Sequence, residues 1–202
     1  MEYEVRPFGI RPSRPVVNII ARIRIKPSYW LCVLLAASLL GPLMDSQELD
    51  EPAIRVAYVF NLTKYVEWPR AGNQLVIGFI GDGPMGEALE KMLAGKTSDS
   101  RLIRVVLSPS EEGLDECDVV YVATSSTKKV HETLDRLRNK SVLTIGETEP
   151  FLKSGGMIGL VRVGQQVRMI INQDAAERAR LKISSRVLNL ATIVQDGPEA
   201  RN

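Results

Sequence analysis

A continuous apolar run, Leu75-Val-Ile-Gly-Phe-Ile80, is bounded by turn residues on both sides. Strands of a parallel sheet have this composition because helices cover both of their faces. Further apolar runs follow at Leu102–Leu107, Val119–Ala123 and Val142–Ile145, and helical patterns separate them. Strands that alternate with helical crossovers favour a parallel arrangement. The sequence therefore predicts an α/β fold with a mostly parallel central sheet flanked by helices.

The predicted helices are defined by apolar spacing and by capping residues. The first one ends at Trp68-Pro69, and its apolar positions recur at spacings of three, four and seven: Ile54, Ala57, Tyr58, Leu62, Tyr65 and Val66. Pro84 suits the first turn of a helix over Met85–Leu93. Ser126 is a suitable cap for another helix over Thr127–Arg138.

The alternation of strands and helices changes after Gly155-Gly156. Met157–Val163 and Gln166–Ile171 flank the two-residue turn Gly164-Gln165, which has glycine where a type II′ turn needs it. We therefore expect a C-terminal antiparallel hairpin at the edge of the sheet.

Two further helices are predicted after the hairpin. Asn172 is a suitable cap for a helix over Gln173–Ala179, and Ser184 for one over Ser185–Ile193. Residues 196–202 are polar and are expected to form a flexible tail. Because no internal repeat or low-complexity linker is present, the sequence predicts a single domain over residues 50–195.

The first 47 residues are predicted to be an export signal or an N-terminal anchor. Three basic residues between positions 22 and 26 precede the apolar run Trp30–Leu40. This run is shorter than the roughly 20 residues that cross a bilayer comfortably. A buried helix is the alternative interpretation.

The domain over residues 50–195 lies in a nearly neutral part of the chain. Of the 26 basic and 24 acidic residues, six and three lie in residues 1–47, which leaves 20 basic and 21 acidic residues. This balance gives no broad electrostatic attraction for nucleic acid.

The segment Gly81-Asp-Gly-Pro-Met-Gly86 matches the G-x-G-x-x-G pattern of dinucleotide-binding folds. However, Asp82 places a carboxylate in a loop that should accept an anion. The next predicted strand also ends without an acidic residue that could hold a ribose hydroxyl. A tight turn explains the glycines, so no cofactor is expected; a nucleotide-dependent enzyme is the minor alternative.

Other catalytic or metal-binding groups are sparse. His131 is the only histidine and lies among charged residues of a predicted helix, where a solvated role is expected. Cys117 would be the single thiol left after export, and we interpret it as a buried, inert side chain. No metal-ligand cluster is recognisable, and the sequence predicts a protein that is not an enzyme.

Aromatic and basic residues supply the candidate partner- or ligand-binding site. Aromatic side chains occur both in cores and in binding hot spots, and Trp68 either packs beneath the sheet or lines a groove. The basic run near the C-terminus is either a solvated face or a docking surface for an acidic partner or a carboxylate. The candidate residues are Phe60, Trp68, Asn172, Arg178, Lys182 and Arg186.

These segments, over residues 52–194, resemble the YfiR family of exported signalling proteins. The matching motifs are Ala57–Pro69, Ile80–Gly86, Leu143–Gly146, Gly155–Ile158, Ile171–Ala176 and Leu181–Arg186.

The resemblance implies a periplasmic, non-enzymatic regulator that forms homodimers. It further implies that this regulator binds and represses the periplasmic domain of an inner-membrane diguanylate cyclase, and so controls cyclic di-GMP and biofilm formation. Other members of the family accompany histidine kinases. The alternative is therefore a periplasmic small-molecule-binding sensor that acts with a histidine kinase or another membrane receptor. A disulfide-based redox response is not expected, because Cys117 would have no partner within the exported chain.

Overall fold

An eight-stranded sheet lies at the centre of the domain. The structure is a computed structural model, which describes residues 50–69 and 72–196. The helices in these residues are α1 (Glu51–Tyr65), α2 (Pro84–Leu93), α3 (Glu111–Asp115), α4 (Thr127–Leu137), α5 (Glu149–Lys153), α6 (Gln173–Arg178) and α7 (Ser185–Leu188). The strands are β1 (Val66–Glu67), β2 (Gln74–Gly81), β3 (Thr97–Ser98), β4 (Arg101–Leu107), β5 (Val119–Ala123), β6 (Leu143–Gly146), β7 (Ile158–Val163), β8 (Gln166–Asn172), β9 (Lys182–Ile183) and β10 (Thr192–Val194).

The strand order in the main sheet is β10-β8-β7-β6-β5-β2-β4-β3. The neighbours from β7 to β4 are parallel, β8 is antiparallel to β7, and β10 is parallel to β8. β1 and β9 form a separate antiparallel ribbon. The predicted α/β fold, with a mostly parallel sheet and a C-terminal hairpin, is confirmed.

Helices cover both faces of the sheet. Helices α1 and α2 pack on the face that presents Ile77 and Tyr121. Helices α3, α4 and α5 pack on the opposite face, around Val120 and Val122. Because α2 and α4 lie on opposite faces, the connections from β2 and β5 diverge, and the junction of these two strands is the topological switch point of the sheet.

Several local predictions are confirmed. The side chains of Ser126 and Asn172 accept hydrogen bonds from backbone N–H groups in the first turns of α4 and α6. Pro84 occupies the first turn of α2. Gly164 has a φ of +64° in the turn between β7 and β8, a conformation that favours glycine.

The predicted apolar face of α1 is only partly confirmed, because Leu62 and Val66 are buried but Ala57 is exposed. The buried residues of this helix are Arg55, Val56, Val59, Leu62 and Thr63, whereas the predicted core residue Tyr65 is 37% exposed. The helix also ends at Tyr65, because Val66 and Glu67 pair with β9 instead of continuing it.

The C-terminal prediction also needs correction. Helix α7 ends at Leu188, whereas the prediction extended it to Ile193. Thr192–Val194 instead form β10, because these β-branched residues pair with β8. The β7–β8 hairpin therefore does not lie at the edge of the sheet.

The predicted leader, residues 1–47, and residues 197–202 lie outside the described part of the chain. Within the residues that are described, no helix has the length and hydrophobicity required to cross a membrane.

Candidate functional site

Trp68 lines an open groove of about 760 Å³ at the amino ends of the parallel strands. One wall is the β1–β9 ribbon, in which Val66 pairs with Ile183 and Glu67 with Lys182. The ribbon is tied to α1 by a 2.8 Å hydrogen bond from the Ser184 N–H to the Tyr65 carbonyl. The residues that close α1 therefore also shape the groove.

The opposite wall is the turn between β3 and β4, held by Arg101. Its guanidinium Nε donates to the Gln74 carbonyl at 2.9 Å, and its Nη2 donates to Asp118 Oδ2 at 2.8 Å. The same Asp118 oxygen accepts the Val76 N–H at 2.9 Å. Arg101 and Asp118 are both largely buried, so this pair fixes the turn to the strand ends beneath the groove.

The indole of Trp68 is only partly buried. Its Nε1 donates to the Thr63 carbonyl at 3.4 Å, and its ring packs against the edge of the core. Together with the exposed ring of Tyr65, it gives the groove an aromatic wall. Of the two positions considered from the sequence, the structure therefore places Trp68 in a groove.

Charged side chains surround this aromatic wall. Lys182 Nζ lies 3.3 Å from Glu67 Oε2, and both side chains are strongly exposed. Exposed pairs of this kind contribute little to stability and exchange partners readily. Lys64 is exposed on the same rim, so the groove offers aromatic surface and exposed charges to a binding partner.

Phe60 lies one turn before Lys64 on α1 and is partly buried against the core. The Lys64 Nζ is 4.1 Å from the centroid of the Phe60 ring, a distance typical of a cation–π contact. Phe60 therefore supports the groove by positioning Lys64, and its own ring is not part of the groove wall.

Asn172 and Arg178 form a separate cluster around Asp196. The Asn172 side-chain Nδ2 donates to Asp196 Oδ1 at 2.9 Å. The side-chain Oδ1 of Asn172 accepts from the Ala175 N–H and so caps α6. Arg178 forms an ion pair with the same Asp196 carboxylate. Asn172 is fully buried, so any effect of this residue on binding has to be transmitted through the fold.

Arg186 is exposed at the start of α7, directly after the groove residues Ser184 and Ser185. Its backbone N–H donates to Ser184 Oγ at 3.3 Å. Of the six predicted residues, the structure thus brings Trp68 and Lys182 together, with Arg186 adjacent and Phe60 behind Lys64. Asn172 and Arg178 lie elsewhere.

A second cavity at the carboxyl ends of β2 and β5 was not predicted. It has two adjoining parts of about 260 and 370 Å³ that share Asp82 and Glu147. Buried Arg55 pairs with Glu147 Oε2 at 3.0 Å and also with Glu51, and the Tyr121 hydroxyl donates to Glu147 Oε1 at 2.8 Å. Burial and the neighbouring Glu147 carboxylate raise the pKa of Tyr121. The four-residue spacing of Glu51 and Arg55 was the available sequence signal.

The glycine segment at this end is explained by packing. Gly81 has a φ of +146°, and a Cβ there would lie 2.3 Å from the Ala123 carbonyl oxygen. Gly83 also has a positive φ, of +98°, where it precedes α2. Close strand contact and the turn into α2 therefore require these glycines without any nucleotide.

A contact between a hydroxyl and a histidine occurs in the described residues, but it lies on the exposed surface, outside both cavities. His131 is exposed, and its Nε2 lies 3.3 Å from Ser154 Oγ on the surface. Cys117 is buried, and burial together with the Asp118 charge raises its pKa to about 11, which keeps the thiol protonated. Across residues 50–69 and 72–196, no group of three or more His, Cys, Asp or Glu side chains is arranged to hold a metal ion.

The model of the YfiR/HmsC-like family matches residues 52–192. The chain belongs to the YfiR/HmsC-like family. This finding confirms the resemblance seen in the motifs around Trp68 and Asn172. YfiR/HmsC-like proteins are periplasmic regulators of signalling and are not known as enzymes. The family also implies interaction with a membrane signalling partner.

A similar backbone occurs in the solved structure of an ABC domain from Streptococcus pneumonia in complex with L-Trp. The two chains are 12% identical, and the TM-score is 0.47. The alignment covers 71% of this YfiR/HmsC-like chain and 60% of the length of that chain.

Proposed function

We propose that this protein represses an inner-membrane diguanylate cyclase by binding its periplasmic domain, and so controls cyclic di-GMP signalling and biofilm formation. In this proposal the protein is exported, acts without catalysis or cofactor, and forms a homodimer. Family membership supports the role of a periplasmic signalling regulator.

The observation that carries the proposal is the groove around Trp68. It combines the partly buried Trp68 indole, the exposed Tyr65 ring and the exposed side chains of Lys64 and Lys182 above a rigid buried ion pair. Binding energy at protein interfaces is concentrated in aromatic and arginine residues within such concave surfaces. Arg186 is exposed directly after the groove residue Ser185, where it can pair with an acidic group of the partner.

Repression follows if the groove fits only the inactive conformation of the partner. A regulator shifts a conformational equilibrium by no more than the difference between its affinities for the two states. A shift from 1:99 to 99:1 requires about 5.5 kcal/mol of preference. A rigid groove wall, held by Arg101 and Asp118, favours such discrimination because it does not adapt to both states.

The test measures capture of the partner from detergent-solubilised membranes by the tagged, folded protein. We expect Trp68→Ala and Arg186→Glu to reduce capture at least tenfold, with unchanged circular dichroism. Leu107→Ala and Lys128→Glu are matched controls, because both residues are exposed on other surfaces. If both groove variants captured the partner as well as the controls did, the assignment of the groove would be wrong.

The class of partner is tested by cyclic di-GMP. Deletion of the gene that encodes this protein should raise cellular cyclic di-GMP severalfold if the captured protein is a cyclase. Expression of the Trp68→Ala variant in the deletion strain should not restore the low level. An unchanged cyclic di-GMP level together with capture of a histidine kinase would contradict repression of a cyclase.

A small-molecule sensor is a second candidate function, and the cavity at the topological switch point favours it. Open α/β sheets bind ligands at this position, and Asp82, Glu147 and Arg55 give the cavity charges of both signs. Ethylamine and acetate are the simplest charged probes for thermal-shift measurements, with Asp82→Asn as the variant. A sensor role is supported only if ethylamine stabilises the protein and Asp82→Asn abolishes the effect, or if acetate stabilises it and Asp82→Asn does not weaken the effect.

A further inference from the structure

The two edges of the main sheet differ in how they are protected. The β3 edge is two residues long, lies between Lys96 and Asp99, and is followed by Asp99 and Ser100 in the left-handed region, with φ of 46° and 66°. Short length, charge and an abrupt change of direction are the features that prevent an edge strand from pairing further.

The β10 edge is also short, at three residues, but it has neither the charge nor the abrupt change of direction. The sequence from Val187 to Gln195 contains no charged residue. Leu190 is 82% exposed and Ile193 is 43% exposed, and within the described residues β10 pairs only with β8. One side of β10 therefore presents backbone N–H and C=O groups next to apolar side chains.

We propose that β10 pairs antiparallel with β10 of a second copy of the chain, so that the sheet continues across a two-fold axis. This inference deepens the homodimer of the proposed function and does not depend on the membrane partner. In the register centred on Ile193, this residue faces its own equivalent, and Thr192 faces Val194 of the second copy. A two-fold axis requires such a self-complementary surface.

The strand suits a second copy better than it suits a different protein. Partners of another sequence are selected largely by complementary charges, and the segment from Val187 to Gln195 offers none. Apolar β-branched residues pair favourably with one another across antiparallel strands. Thr192, Ile193 and Val194 are all β-branched, so two copies provide matched surfaces.

The residues that follow β10 turn away from its free edge as far as Asp196, the last described residue. After β10, the Asp196 N–H donates to Asp174 Oδ2 at 3.2 Å, and the Asp196 carboxylate binds Asn172 and Arg178. These contacts direct the backbone towards α6 at residue 196.

Disulfide trapping of the full chain in membranes tests the interface. Directly opposite Cβ atoms of antiparallel strands lie about 4.5–5.5 Å apart, so a cysteine on the axis can bridge to itself with a small adjustment. The background is Cys32→Ser, with buried Cys117 retained. The test variant is Ile193→Cys, and the control is Val163→Cys, which is 47% exposed at the end of β7.

We expect Ile193→Cys to form at least tenfold more disulfide-linked dimer than Val163→Cys under mild oxidation. Thr192→Cys and Val194→Cys should form less, because neither residue faces itself in this register. Equal trapping at the test and control positions, or trapping to a different protein, would overturn the proposal.

Ile193→Lys provides a second measurement. Light scattering of the purified chain should show a dimer for the wild type and for Val163→Lys, and a monomer for Ile193→Lys, all with the same circular dichroism. A wild-type monomer or a dimeric Ile193→Lys variant would exclude this interface. Neither result affects the Trp68 groove, whose failure would appear only as unchanged partner capture by Trp68→Ala.

Discussion

Buried arginine–carboxylate pairs lie at both ends of the central strands, but their surroundings differ. At the amino ends, Arg101 and Asp118 bind each other and two backbone groups of β2, and both side chains are almost fully buried. At the carboxyl ends, buried Arg55 pairs with Glu51 and Glu147, which are both about 30% exposed and line an open cavity.

This difference indicates that the Arg101–Asp118 pair is structural, whereas the pairing of Arg55 with Glu147 is adaptable. Asp118 joins β2, β4 and β5, so the wall of the Trp68 groove is as rigid as the sheet. Glu147 can change partners without disturbing a strand, because its contacts are side chains only. We therefore expect the amino end to carry a fixed recognition surface and the carboxyl end to tolerate change.

The largest expected effect is that of Asp118→Asn. Removing one charge of a buried pair costs about 3–5 kcal/mol, because the remaining charge is left without compensation. Urea unfolding of the purified domain should show this loss. Asp115→Asn is the control, because Asp115 pairs with Lys140 at the surface and should change the free energy of unfolding far less. Equal effects would contradict a structural role for the Arg101–Asp118 pair.

Glu147→Gln should have a smaller effect on the free energy of unfolding. The variant keeps an acceptor for the Tyr121 hydroxyl and leaves Glu51 to neutralise Arg55, so we expect a loss of about 1.5 kcal/mol, the scale of one charged hydrogen bond. The same urea titrations measure it. A loss equal to that of Asp118→Asn would show that both ends of the strands are equally rigid.

Cys117, at the amino end of β5, should make the free energy of unfolding depend on pH. Its pKa in the folded state, about 11, lies above the ordinary value of 9.0. The unfolded thiol therefore loses its proton first, and stability should fall as the pH rises from 9 to 11. In a Cys32→Ser background, Cys117→Ala should reduce this fall, as measured by urea unfolding at each pH. If the free energy of unfolding changed identically with pH in both proteins, Cys117 would not be the source of this dependence.

The smallest expected effect on stability is that of Lys182→Gln. The Lys182–Glu67 pair is strongly exposed, and such pairs contribute about 0–1 kcal/mol. Partner capture should nevertheless decrease, because Lys182 lines the groove. Gln keeps most of the side-chain length, and Lys128→Gln serves as the control on another surface. Unchanged capture would remove Lys182 from the recognition surface.

Much of the fold was predictable because its signals are local. The apolar run Leu75–Ile80 requires burial on both faces, and Gly164 fits a turn that few other residues adopt. Asn172 and Ser126 cap helices through hydrogen bonds that reach only three residues ahead. These features depend on near neighbours, so the sequence contains their full explanation.

The candidate site was only partly predictable. Trp68 and Lys182 were recognised as residues of a suitable type, but they meet because β1 pairs with β9, more than 100 residues away. Arg101 and Asp118 gave no signal, because each is an ordinary charged residue until β2, β4 and β5 bring them together. The switch-point cavity depends in the same way on the order of the strands.

The sequence by itself determined the α/β class, the positions of most strands and caps, and the family to which the chain belongs. Only the tertiary structure decided that Tyr65 faces solvent, that Thr192–Val194 form an edge strand, and that Trp68 lies in a groove. Periodicity and capping are properties of neighbouring residues. Burial and pairing between distant segments are properties of the packed chain, because the free energy of each contact depends on what the rest of the molecule places beside it.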